Sequence, residues 1–269
     1  MRWAGGALAA IAVLGAGCSN QIVTRAPIVP SLTATTLIPS GPPPSPLPSR
    51  ADLITQALAQ TEVSATDIAH APINVLRTKA LANIKTKLNA LNGGIAALGT
   101  ISHLSAAGSA LEKDELNGSI EGLTALQAQI TNETDIGLMR TEASHLVDYA
   151  DVGTIIVPKV ILLQNADTVL RTTDSLNTQI GQLQTRINTA AAKGKATGGA
   201  VAALGTVRSD TAQAASTASG VMTSVPLLSA TQTDQITPDN NTVLAARAAA
   251  ASAQSAVGTV GTALQAVGA

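Results

Sequence analysis

The chain has 269 residues, with 16 basic and 17 acidic side chains and a formal charge of −1. A near-neutral balance of this kind, without a cluster of Lys and Arg, excludes nucleic acid as an expected partner. Phe is absent, Trp and Tyr occur once each, and 45% of residues are hydrophobic, so the expected core is aliphatic and any site lacks the rings that usually anchor ligands and partners.

The N-terminus opens with Arg2, then an apolar and small-residue run from Trp3 to Gly17, then Cys18, the chain's one cysteine. A positive start, a run of about 15 apolar residues and a small-residue end form the layout of a secretory signal peptide; a spanning helix needs about 20. Because the residue after the cut is Cys18, the segment resembles a bacterial lipoprotein signal, which implies lipidation at Cys18. Gly15 stands three before the cysteine, where such signals favour Leu, and Leu14 sits one place early. The expected localisation is export, with anchoring to the outer face of a bacterial membrane or to the cell surface. A chain with no other thiol has no internal disulfide and no thiolate metal site.

Three segments are expected: a signal peptide over 1–17, the lipidated Cys18 and a Pro-rich linker over 18–50, and a helical bundle domain over 51–269. The linker runs from Ala26-Pro27-Ile28-Val29-Pro30 to Pro42-Pro43-Pro44-Ser45-Pro46-Leu47-Pro48. Proline fixes φ and removes donors, so this stretch reads as an extended, partly polyproline II spacer.

From Ala51 the pattern is helical. A short amphipathic piece carries Leu53, Ile54 and Leu58. Pro72 starts a longer helix in which Leu81, Ile84, Leu88, Leu91, Ile95 and Leu98 recur by threes and fours, a heptad-like seam. After a turn near Gly99 to Gly108, a second helix carries Leu111, Leu116, Ile120, Leu123, Leu126 and Ile130. Thr134 or Asn132 is the expected N-cap of a third, shorter helix with Ile136, Met139, Leu146 and Val147. Gly153 and Pro158 mark a break or kink; Ile155-Ile156-Val157 is a weak, short β signal.

The longest seam follows, with Leu162, Ala166, Val169, Thr173, Leu176, Ile180, Leu183, Ile187 and Ala190, ending at Lys193-Gly194-Lys195. A helix from near Thr197 carries Leu204, Val207, Thr211, Ala214, Ala218, Val221 and Val225, and Pro226 stops it. A polar loop runs to Pro238-Asp239-Asn240. The last helix carries Val243, Ala246, Ala250, Ala253, Val257, Val260, Leu264 and Val267. Its uncharged end, Ala248 to Ala269, reads as a packed terminal helix rather than a membrane span. The expected fold class is all-α: an elongated antiparallel helical bundle with heptad-like seams, tightly packed where its last two helices carry small residues.

Charge adds one pairing hint. Arg77, Lys79, Lys85 and Lys87 share a helix without acids, and the next helix carries Glu112, Asp114, Glu115, Glu121, Glu133 and Asp135 against Lys113. Attraction between the two helices and a pair of solvated faces are equally consistent with this pattern. The hairpins near Lys79 to Ile130 and Val169 to Val225 echo one another, as heptad patterning alone can produce.

The stretches Arg77-Thr78-Lys79-Ala80-Leu81-Ala82-Asn83-Ile84, Leu98 to Ser105, Leu123-Thr124-Ala125-Leu126-Gln127 with Ile130, and Val157-Pro158-Lys159-Val160 resemble an uncharacterised family of bacterial secreted helical, coiled-coil-like proteins. The resemblance runs from about Leu76 to the C-terminus. It implies a long helical bundle and supplies no activity, cofactor or catalytic residue.

No chemical constellation is legible. His70, His103 and His145 lack metal-ligand spacing. His145 with Asp148, and His70 with Asp67, read as solvated pairs along a helix rather than catalytic dyads. Glu112-Lys113-Asp114-Glu115 lacks the layout of a calcium loop and reads as a helix surface or first turn. Gly93-Gly94 and Gly198-Gly199 form no phosphate loop, and no nucleophile elbow is present. The expectation is therefore no catalytic, cofactor-binding or metal residue, no cofactor, and no enzyme activity. The chain reads as a lipid-tethered structural or protein-interaction module, with the membrane as partner through Cys18 and a protein partner or a second copy through the helices. The alternative is a binding module for a small apolar ligand or lipid held between helices.

Overall fold

The seams described above become helices in a computed structural model that describes residue 58 and residues 61–268. The signal peptide, Cys18, the Pro-rich linker, Leu53 and Ile54 lie outside the described residues. Those described belong to one compact unit, no strand occurs among them, and 86% of them are helical. The weak β signal at Ile155-Ile156-Val157 is helical.

In chain order the α-helices are α1 (Ala65–His70), α2 (Ile73–Leu98), α3 (Ala106–Asn132), α4 (Ile136–Ser144), α5 (Val157–Ala192), α6 (Gly198–Ser224) and α7 (Ile236–Ala266). Short α1 has no counterpart in the seam reading. Its local signal is a capping box, in which Ser64 Oγ accepts from the Asp67 amide and the Asp67 carboxylate accepts from the Ser64 amide. Pro72 precedes α2 as expected. The cap of α4 is neither Thr134 nor Asn132 but Asp135, whose Oδ1 accepts from the amides of Gly137 and Leu138. A carboxylate one residue later reaches two orphan amides at once. Pro238 lies in the first turn of α7, not in the preceding loop, because a first-turn N–H has no helical acceptor to lose.

The break at Gly153 and Pro158 is a change of helix type. A 3-10 turn (His145–Tyr149) and a π turn (Val152–Ile156) carry the chain from α4 into α5. Pro158 has no N–H to offer the carbonyl one turn back, and a widened turn just before it fits that lost bond. Beside this region Tyr149 lies across Gly122 of α3; an alanine methyl at 122 would land on the Tyr149 hydroxyl and ring edge.

Side-chain bonds give the direction of two pairs. Arg77, early in α2, donates to the carbonyls of Ile130 and Glu133 at the end of α3, while Gly94, late in α2, lies against Leu116; α2 and α3 run antiparallel. Ser252 of α7 donates to Asp210 of α6 at 2.6 Å, and Gly268 lies near Lys195, so α6 and α7 do the same.

Two aliphatic cores result. The larger joins α2, α3, α4, the π turn, the first half of α5, the second half of α6 and the start of α7. The smaller is built from Leu176, Ile180, Leu183, Ile187 and Ala190 of α5, Ala200, Leu204 and Val207 of α6, and Ala253, Val260 and Leu264 of α7. All nine expected seam residues of α5 and all seven assigned to the α6 seam are buried. In α2 the seam is rotated. Leu81, Leu88 and Ile95 are half-buried, and Ala80, Lys87 and Gly94 share the buried face with Ile84, Leu91 and Leu98. In α3, Leu111 is 49% exposed and Glu112 takes the inward position. Ala214, Ala218, Ala246, Ala250 and Ala253 are buried in the cores of the α6–α7 region, whereas Gly205 and Gly258 face open space. Alanine at the seam, not glycine, fills the inner face of this pair.

Candidate functional site

The fold gathers ionisable side chains in two places that the sequence keeps far apart. The first is the turn between α2 and α3. Asp167 of α5 has a side chain only 2% exposed. Its Oδ1 accepts from the amides of Ser102 and His103, each at 3.0 Å, from Ser102 Oγ at 3.0 Å and from His103 Nδ1 at 2.8 Å. Its Oδ2 pairs with Arg171 one helical turn on, and Arg171 also donates to the Thr100 carbonyl at 2.5 Å. Burial alone would raise the Asp167 carboxyl, but the donors of His103 and Ser102 outweigh it and hold it at about 2.

The other ring nitrogen of His103, Nε2, faces Asp174 Oδ2 at 2.9 Å. The hydrogen bond to Asp167 raises the His103 pKa against a smaller opposing effect of burial, and Asp174 adds to the rise. Ser, His and Asp meet here without the order of a nucleophilic triad. Ser102 Oγ and His103 Nδ1 stand 3.1 Å apart but converge on the same carboxylate oxygen, and with both ring nitrogens facing carboxylates the imidazole is not set up as a base for that hydroxyl. The arrangement fastens a turn.

The second gathering lies between α3 and α5. Lys159 is 1% exposed. Its Nζ stands 3.0 Å from Glu112 Oε1 and 2.5 Å from Glu115 Oε2 and donates to the Leu228 carbonyl at 3.2 Å, just past α6. Glu112 is fully buried. Neither of its oxygens completes a well-angled hydrogen bond, and Oε2 has no partner among the described residues. Burial raises the Glu112 pKa, with Lys159 opposing. Glu112 therefore corrects the reading of residues 112–115 as a helix surface, while Lys113 and Asp114 are exposed. Glu112 points inward because a buried lysine on α5 needs a nearby carboxylate.

Lys87, also buried, donates to the carbonyls of Tyr149 at 2.8 Å and Leu146 at 3.3 Å, capping the 3-10 turn. Burial lowers its pKa, with Glu62 and Asp151 opposing. Lys79 pairs with Asp67 of α1. Among the described residues no base of α2 pairs with an acid of α3, so the charge contrast between these helices is spent elsewhere.

The remaining candidates fall as single features. His145 Nδ1 and Asp148 Oδ2 are 3.2 Å apart, and both side chains are more than half exposed. His70 hydrogen-bonds the Thr66 carbonyl instead of Asp67. Cys18, the proposed lipidation residue, lies outside the described residues. Sequence reading missed His103, Asp167 and Asp174. Positions 167 and 174 are seven apart, two helical turns on one face of α5, but nothing in spacing points from there to residue 103.

An open cleft of about 470 Å³ adjoins the first gathering, lined by His103 at one edge and by Leu111, Leu170, Met222, Pro226 and Leu227 among its apolar walls. No group of three His, Cys, Asp or Glu side chains suited to a metal occurs among the described residues. No described helix is long and apolar enough to cross a membrane. Comparison with protein-family models, curated proteins and solved structures finds no match for this chain.

Proposed function

We propose that this protein is a lipid-tethered module of the bacterial cell envelope that works by presentation and carries no catalytic activity. Lipid on Cys18 fixes its position, the Pro-rich segment up to residue 50 sets its distance from the membrane, and the helical bundle offers polar faces to a protein partner or to another copy. The observation that carries this reading is the placement of Cys18 at the end of an apolar run and ahead of a proline-rich stretch. One further observation agrees with it. The ionic groups gathered by the fold are engaged in holding turns and helices: both His103 nitrogens face carboxylates, and Lys159 ties α3, α5 and the segment after α6 together.

Metabolic labelling with radioactive palmitate in a bacterial host tests the tether. The full chain is expected to take up label and fractionate with membranes, and Cys18→Ala to lose both properties. An unlabelled wild-type protein would overturn the proposal.

A second reading, the binding of a small apolar ligand, has the cleft between the α2–α3 turn and the end of α6 in its favour. Its volume falls within the range of small-molecule sites. Lipid co-purifying with the wild type and lost in Met222→Gln would favour this alternative; a wild-type preparation free of lipid would count against it.

A further inference from the structure

His103 stands where three parts of the molecule meet: the α2–α3 turn that carries it, α5 that holds it, and the cleft it edges. Both ring nitrogens face carboxylates from α5, Nδ1 toward Asp167 at 2.8 Å and Nε2 toward Asp174 at 2.9 Å. A neutral imidazole has one N–H, and only the imidazolium has two. The geometry thus needs the doubly protonated ring. With one proton gone, one nitrogen lone pair must face a carboxylate, and repulsion replaces attraction.

The two carboxylates are not equivalent. Asp167 is buried and holds three further donors on the same oxygen, plus Arg171 on the other. The Asp174 side chain is 66% exposed. The proton retained by a neutral ring belongs on Nδ1, beside Asp167, and the Asp174 arm is the one released.

We propose that His103 is a pH-operated latch on the cleft: protonated, it pins the α2–α3 turn to α5 at two points; deprotonated, it keeps one point and lets that wall of the cleft loosen. The charged groups facing it are all on α5, namely Asp167, Asp174 and, through Asp167, Arg171. The other helices that line the cleft contribute Ala107, Gly108 and Leu111 from α3 and Ser219, Met222 and Thr223 from α6, none of them ionisable. Above the acid range in which Asp167 loses its charge, the latch is therefore governed by the titration of His103 alone. It closes at low pH and loosens as pH rises through the raised value of His103.

The test is NMR on the full chain, following the His103 imidazole signals and the amide protection factors of Ser102 and His103 across its titration. Protection factors already correct for base catalysis of exchange. In the wild type they are expected to fall about tenfold or more as His103 loses its proton, the equivalent of one charge-assisted hydrogen bond. In Asp174→Asn, an exposed substitution that leaves the core intact, the imidazole midpoint is expected to move to lower pH and the fall in protection to shrink, because the arm that releases is gone. In His103→Gln the pH dependence is expected to vanish. Constant protection through the His103 titration, or a midpoint unchanged in Asp174→Asn, would overturn the latch.

Discussion

A lysine ammonium held out of water is costly unless carboxylates and carbonyls replace its hydration, and Lys159 shows how incomplete that replacement is. It reaches Glu115 and the Leu228 carbonyl well, yet leaves fully buried Glu112 beside it with an unpartnered oxygen. Buried ion pairs of this kind contribute little net stability, although removing one partner strands the other. Lys159→Met is therefore expected to destabilise the fold by about 3–5 kcal/mol. The double variant Lys159→Met with Glu112→Leu is expected to recover a large part of that loss. Urea denaturation of the two single variants and the double one checks this; additive losses would show that Glu112 does not depend on Lys159. Because the cluster joins residues 112, 115, 159 and 228, no local pattern betrays it. A sequence window sees only four charged residues in a row at 112–115, and a helix phase uncertain by one residue decides which of them points inward.

At the scale of elements, the α2–α3 turn depends on a side chain from another helix. Asp167 satisfies the amides of Ser102 and His103, as a cap would, from 65 and 64 residues away in sequence. Its carboxyl titrates at about 2 in the fold against an ordinary 3.8, and the sign of the consequence follows. A depressed carboxyl stabilises the fold above about pH 4, and that contribution is lost as pH falls toward about 2. His103 acts in the opposite sense, since its raised pKa gives stability that is present at low pH and lost as pH rises. Asp167→Asn is expected to lower stability at neutral pH and to flatten the acid limb between about pH 4 and about pH 2, as measured by urea midpoints across that range. An acid limb as steep as that of the wild type would rule Asp167 out as its source. Helices α5, α6 and α7 were legible because every third or fourth residue is Leu, Ile, Val, Ala or Thr and packing follows that stripe. Helix α2 was legible in extent but not in rotation, and in α3 Leu116, Leu123, Leu126 and Ile130 are buried as expected while Leu111 is exposed. The buried faces of these two helices include Lys87 and Glu112, which no apolar stripe predicts, and the half-buried Leu81 and Leu88 occupy the flanks.

For the molecule as a whole, the two cores differ in how they are enclosed. The larger is surrounded by helices from α2 to the start of α7, and the smaller by three helices with many alanine and valine side chains. Small side chains bury less apolar area per residue, and three helices leave more of each backbone open to water. Amides near Leu204 of α6 and Val260 of α7 are therefore expected to exchange faster than those near Leu163 of α5, although all three side chains are buried. Native-state hydrogen exchange measures this; equal protection in both regions would mean that α5, which runs through both cores, couples them into one cooperative unit.

Composition and periodicity were enough to determine that the described residues are all-helical with an aliphatic core, and most of the inner residues of the last long helices, Val257 and Val267 of the α7 seam being only half-buried. Aliphatic burial at helical spacing is a local property that repeats along the chain. Tertiary structure alone decided which charged groups enter that core and which carboxylates hold His103. Those choices depend on side chains dozens of residues apart meeting with the right partners, in a medium where an unmatched charge is costly.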